Sequence, residues 1–227
     1  MIDPNPEPDS LTPAEADDGS DMSAYKSVQW ITPDDHQIDS LIDHDCWPEK
    51  AGDDLKLRCG QMLDAALAAH DMHACAVSLL FCSDAKIRQL NHDHRGMDKA
   101  TNVLSFPNAD DAAMPDEMRA MDRVAGELRG EQLGDIAIAY ETCVREADES
   151  GISMHDHVTH LFGHGVLHLL GYDHEDDAEA NEMEALEVSL LAAMGIANPY
   201  DYVTDDDTQD DTQDDTKTTM PMTEPMS

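Results

Sequence analysis

His164-Gly-Val-Leu-His-Leu-Leu-Gly-Tyr-Asp-His174 sets three histidines, His164, His168 and His174, around one glycine, Gly171. A helix repeats every ~3.6 residues, so His164 and His168 project from one face about a turn apart, close enough to share a metal ion. Gly171 can take the positive φ that ends a helix and lets the chain turn, which swings His174 back toward the same point. Three nitrogens with a fourth position left to water are what a catalytic zinc takes. A structural zinc closes all four positions and favours cysteine, and no cysteine lies near this stretch. Any one of these histidines alone would more readily be a core or surface residue. The set, with the glycine in register, carries the reading.

The spacing H-x-x-x-H-x-x-G-x-x-H also resembles that of the metzincin proteases, in which a Glu follows the first histidine and serves as general base. Here that position is Gly165. Glycine cannot take a proton from water, so a peptidase mechanism lacks its base. His157, His160, His164 and His168 lie on nearly one helix face, and His160 with His164 is a further i, i+4 pair. Spacing alone therefore leaves His160 open as a ligand. Only the choice of His164, His168 and His174 uses the glycine break; it places His160 beside the site or toward the substrate, and His155 and His157 on the surface.

The complete string resembles the YbeY family of bacterial endoribonucleases and ribosomal-RNA maturation factors, and two further blocks agree. Leu90-Asn91, Arg95, Asp98 and Thr101-Asn102-Val103-Leu104-Ser105-Phe106-Pro107 are similar to that family's L-N-x-x-x-R-x-x-D-x-x-T-(D/N)-V-L-S-F-P segment, and Leu133-Gly134-Asp135-Ile136 to its L-G-D-I strand. The resemblance spans roughly residues 74–200. It departs at His94, where the family usually has Tyr, and at Ala100, where Pro is common. It implies one zinc per chain on His164, His168 and His174, with Arg95 completing the catalytic set. The implied function is a zinc-dependent, single-strand-specific endoribonuclease. It would act on ribosomal RNA in maturation of the 3′ end of the small-subunit RNA and in late ribosome quality control, with the ribosome or its small subunit as partner. Two alternatives stand beside it: a non-enzymatic ribosome-assembly factor with a structural zinc, and a metal-dependent peptidase or amidase, which Gly165 disfavours.

Thirteen basic against fifty acidic residues give a formal charge of −37, which works against a polyanionic partner because phosphate contacts rely on Lys and Arg. The densest basic cluster is Lys86, Arg88, Arg95 and Lys99, and RNA is expected there; for Lys86 and Arg88 an ordinary solvated helix face is an equal reading. Arg119, Arg123 and Arg129 fit a solvated face better than an RNA track. Five cysteines without a C-x-x-C pair favour free thiols in a reducing compartment. The sequence begins without a positive region or apolar run and has no stretch of ~18 apolar residues. A cytoplasmic protein with no membrane association is expected.

Residues 1–24 and 201–227 are acidic and poor in large apolar groups, and both are expected to be disordered; the second carries a four-residue Asp-Asp-Thr-Gln repeat. The domain between them, residues 25–200, is expected to be α+β. We read a single zincin-like domain, with a mixed sheet of about four strands packed by helices. The strands are expected at Ser27–Ile31, Ala74–Phe81, Val103–Phe106, at an edge because of Pro107, and Leu133–Ala139. Helices are expected over Glu49–Ala69, from Ser83 or Asp84 through Leu90, over Glu141–Glu149, from Ser153 through the metal motif, and over Asp176–Met194 with its Glu face in solvent. Asp173 is read either as an orienting partner for a ligand histidine or as a turn-former. The segment before Trp47 shows no clear period, and Asn108–Glu131 reads as a polar surface excursion, part helical around Pro115–Val124.

Overall fold

The computed structural model describes residues 25–43, 45–48, 51–108, 130–174 and 176–201. The two acidic ends outside that span and the arginines at 119, 123 and 129 lie outside the described residues. In chain order the elements are β1 Tyr25–Ile31, β2 Gln37–Asp43, α1 Ala51–Ala68, β3 Cys75–Cys82, α2 Asp84–Arg95, β4 Val103–Pro107, β5 Glu131–Ala139, α3 Tyr140–Ser150, α4 Met154–Leu169 and α5 Asp177–Ala193. The sheet runs β1-β2-β3-β5-β4. Its inner pairs, β2–β3 and β3–β5, are parallel and its outer pairs, β1–β2 and β4–β5, are antiparallel.

The sheet thus has five strands rather than about four, and the unforeseen one is β2. Six of its seven residues are buried, polar ones included, so it lacks the alternation by which a half-exposed strand announces itself. Its polar side chains are satisfied locally. Asp39 accepts from Gln29 at 2.6 Å and Gln37 at 2.7 Å, and Ser40 donates to the Val28 carbonyl at 3.0 Å. β4 is an edge strand ending at Pro107, as its sequence predicts.

Alternation along β3 and β5 divides the core between the two faces of the sheet. Val77, Leu79, Ile136 and Ile138 meet α1, α4 and α5 on one side; Leu80, Ala137 and Leu104 meet Ile87 and Leu90 of α2 on the other. Burying a side chain such as Phe162 or Leu79 completely stabilises the fold by about 1.5–3 kcal/mol, so the α4 face holds most of the apolar free energy. Two glycines let α4 sit that deep. A Cβ at Gly163 would stand 2.9 Å from Met62 Sδ of α1, and one at Gly165 would stand 2.9 Å from Ile136 Cδ1 and 3.0 Å from Ser105 Oγ of the sheet.

Local chemistry sets the ends of the helices. Ser153 caps α4 by accepting from the Asp156 N–H at 3.0 Å, and the Asp156 carboxylate takes Arg58 of α1 at 2.7 Å. Of the two candidate caps of α2 it is Ser83 that serves. Asp84 instead accepts from Thr142 N–H and Oγ1 of α3, while Glu141 accepts from Asp84 N–H. Each helix start thereby supplies an acceptor to the other.

Candidate metal centre

His164 and His168 leave the same face of α4, and the chain then turns. Gly171 has φ 91°, Tyr172 N–H donates to Leu167 C=O and Gly171 N–H to His168 C=O, both at 3.0 Å. This pair of bonds is a Schellman ending, and it returns His174 to the other two rings. One nitrogen from each of the three histidines lies within 4.8 Å of the others, and ring centroids are 4.6 to 5.8 Å apart. His174 is exposed, so the cluster opens to solvent on one side. The Asp173 carboxylate accepts from the His174 N–H at 2.7 Å, a bond within the turn.

The ring nitrogens have distinct partners. His168 Nδ1 is 2.9 Å from the Tyr172 carbonyl, which can only accept, so that nitrogen carries the proton. His164 Nδ1 lies 3.4 Å from Glu187 Oε1, again an acceptor. The two Nε2 atoms face each other at 3.1 Å; His164 donates across that contact if its proton is on Nε2, and both atoms are lone pairs if its proton is on Nδ1. Two lone pairs at that distance repel unless a positive charge lies between them. A tetrahedral zinc with bonds of about 2.0–2.1 Å would hold two nitrogens roughly 3.4 Å apart, so the residues fit such an ion. Burial and the neighbouring His164 hold the His168 imidazole below its ordinary pKa.

Behind His164 lies a carboxylate that sequence reading assigned to solvent. Glu187 of α5 is 1 % exposed, with Oε1 3.3 Å from His160 Nε2 as well as 3.4 Å from His164 Nδ1, and Oε2 accepting from the Tyr200 hydroxyl. Burial alone would raise its pKa; the contacts with His160, His164 and Tyr200 outweigh it and bring the carboxyl down to about 2. Burial and Glu187 push the Tyr200 phenol up. The available signal was Glu187's position, four residues after Met183 and three and four before Leu190 and Leu191, in the apolar stripe of the helix. His157 is likewise buried and not at the surface. Its Nε2 is 2.9 Å from Glu146, which also accepts from Asn102 at 2.9 Å. His155 is half-buried in a cleft with Asp54 and Arg58.

Arg95 ends α2 just before Gly96, whose φ of 69° closes the helix. It is exposed, and its Nη2 donates to the Ser105 carbonyl on edge strand β4 at 3.3 Å. Ser105 presents its Oγ to α4 at Gly165, the residue after His164, so one residue of β4 touches both Arg95 and the metal helix. The rest of the expected basic cluster is divided. Arg88 is bound by both arms to Asp98, at 2.6 and 2.9 Å, as the solvated-face reading anticipated, while Lys99 is exposed. Against the loop between His168 and His174 an open cleft of about 320 Å³ is lined by Asp173, Glu179 and Glu182 with His70 and Tyr172. Three carboxylates there repel phosphate.

A family model described as endoribonuclease YbeY matches residues 46–195. Among curated relatives, an endoribonuclease YbeY from Paramagnetospirillum magneticum is 47 % identical over 72 % of this chain and 96 % of its own. One from Erythrobacter litoralis is 56 % identical over 54 % and 73 %, and one from Bradyrhizobium diazoefficiens 40 % identical over 80 % and 96 %. A solution structure of a Thermotoga maritima protein aligns with 70 % of this chain and 94 % of its own at 21 % identity and a TM-score of 0.41.

Proposed function

The chain belongs to the YbeY endoribonuclease family, and from that premise we propose that it is a zinc-dependent, single-strand-specific endoribonuclease acting on ribosomal RNA. On this reading it works in maturation of the 3′ end of the small-subunit RNA and in late ribosome quality control, and it does so in the cytoplasm. Among the described residues no helix is long and apolar enough to cross a membrane. The observation that carries the reading is the pair of imidazole Nε2 atoms facing each other at 3.1 Å, with His174 folded back beside them.

His164, His168 and His174 would hold the ion through one ring nitrogen each, and the exposed side at His174 leaves room for substrate. When bound, such an ion supplies Lewis acidity to a phosphoryl oxygen and acidifies a coordinated water. The Tyr172 carbonyl holds the neutral His168 ring in its Nδ1–H tautomer, which makes Nε2 the nitrogen that would coordinate. Arg95 meets the charge that grows on the phosphoryl oxygens. A guanidinium has five N–H donors in a planar fork, and the Ser105 carbonyl occupies one Nη2, which steadies the fork with other donors pointing outward. The acidic cleft against the loop directs RNA toward the Arg95 side.

The test is cleavage of labelled single-stranded RNA by the full chain, alongside His168→Ala and Arg95→Ala. Wild type should cut single-stranded but not duplex RNA and should contain about one zinc per chain. His168→Ala should lose metal and activity. Arg95→Ala should keep fold and metal and lose ~10²- to 10³-fold in rate, the size expected for removing one transition-state donor. The alternative of a non-enzymatic assembly factor with a structural metal is favoured by one observation, the neutralisation of Arg88 by Asp98 in an already acidic protein. Equal cleavage by all three preparations would trace the activity to a contaminant and leave that alternative standing.

A further inference from the structure

We propose that Glu187 is the positioning residue of the metal centre. From the neighbouring helix it holds His164 in the Nδ1–H tautomer with Nε2 aimed at the ion, and Tyr200 and His160 hold the carboxylate in place. This rests on the metal reading above.

The first argument is geometric. Glu187 Oε1 addresses His164 through Nδ1, at 3.4 Å, while His164 Nε2 faces His168 at 3.1 Å. The two nitrogens lie on different edges of the ring, so Glu187 stands behind His164 and does not share its ion. A carboxylate in that position fixes which nitrogen is free and raises the basicity of the ligand.

The second argument concerns charge. Glu187 is 1 % exposed, at a helix position flanked by Met183, Leu190 and Leu191, where an apolar side chain would pack. A buried carboxylate is tolerated when it is paired and hydrogen-bonded. Here Oε2 accepts from the Tyr200 phenol, whereas Oε1 makes no hydrogen bond and only lies near two imidazoles, at 3.3 and 3.4 Å, neither of which carries a permanent positive charge. A divalent ion on the far nitrogen of His164 supplies the missing charge through the ring that joins them. The third argument is that the carboxylate is itself fixed. Tyr200, from the chain beyond α5, donates to Oε2, and His160 approaches Oε1 at 3.3 Å, so all of the carboxylate's orientation is spent on the two histidines of α4.

The experiment uses the full chain, Glu187→Gln and Tyr200→Phe, with cobalt(II) as the probe. Affinity is read by competition with a chromophoric chelator and ligand geometry from the visible d–d bands. Glu187→Gln should keep a cooperative unfolding transition without metal, lose ~10- to 100-fold in cobalt affinity and shift its d–d bands; Tyr200→Phe should show a smaller loss in the same direction. A readout on unmutated protein guards against variants that do not fold: ¹⁵N-histidine NMR of the metal-loaded wild type should show His164 protonated at Nδ1 and coordinated through Nε2. Wild type and Glu187→Gln binding cobalt equally with identical bands overturns the proposal and leaves the metal reading intact. So does an Nε2–H tautomer at His164. Wild type that takes up no cobalt or zinc overturns the metal reading itself, and this proposal with it.

Discussion

At position 165 the residue is decided by what the helix must touch rather than by what the metal needs. The side of α4 that carries Gly165 lies on the sheet, where a Cβ would already be 2.9 Å from Ile136. A glutamate there would point into the core, so the peptidase base is excluded by packing as well as missing from the sequence. Gly165→Glu should therefore destabilise the protein by more than ~3 kcal/mol, the combined cost of overpacking and of a buried unpaired carboxylate, measured by urea unfolding, without creating peptidase activity. A variant that folded normally and hydrolysed peptides would show that this face of α4 is open. The cysteines follow the same logic of surroundings. All five are free thiols; burial pushes Cys59 up to about 12, and burial with Asp43 nearby does the same for Cys46. Thiols held protonated at neutral pH are poor nucleophiles.

At the scale of elements, the end of α4 does two jobs with one turn. The Schellman bonds return His174, and the same turn carries the Tyr172 carbonyl to His168 Nδ1. Gly171 makes this affordable at φ 91°. No heavy atom lies within 4 Å of where its Cβ would stand, so a side chain would meet backbone strain alone. Gly171→Ala should cost ~1–2 kcal/mol and weaken metal binding by about ten-fold, because His174 and the His168 partner move together. Unfolding in chelator gives the first quantity and metal competition the second; a stability loss with unchanged affinity would mean the turn does not place the ligand. The period of 3.6 identified this helix and its glycine correctly. The same pattern reading placed every Glu of α5 in solvent, because a charge in an apolar stripe shows only that something pairs with it, and the partners come from α4 and from Tyr200.

For the whole molecule, charge is the quantity to reconcile with an RNA substrate. The chain carries −37, of which −22 belongs to residues 25–200, yet Arg95 and Lys99 stand exposed, Arg95 bonded to the edge strand that touches the metal helix at Ser105. With one or two phosphates neutralised, log K for single-stranded RNA should fall with log salt at a slope of only about −1, since each contact contributes roughly −0.7. Fluorescence anisotropy at several salt concentrations measures it. A slope of about −4 or steeper would place the RNA track on cations elsewhere in the chain. Weak electrostatic attraction of this kind leaves discrimination to the site itself.

Local rules determined most of what locates the centre. Helical spacing and a helix-ending glycine are properties of consecutive residues, so His164, His168 and His174, the edge position of β4 and the cap at Ser153 were readable before any folding, while the cap of α2 was narrowed to Ser83 or Asp84. Tertiary structure decided what depends on residues far apart in the chain. It buried β2 on both faces and so hid its period, seated Gly163 and Gly165 against α1 and the sheet, and tied Arg95 to Ser105 beside the metal helix. It also brought Glu187 and Tyr200 behind His164. A carboxylate at position 187 is visible in the sequence, but whether it meets water or an imidazole depends on which helix lies against it, and only packing settles that.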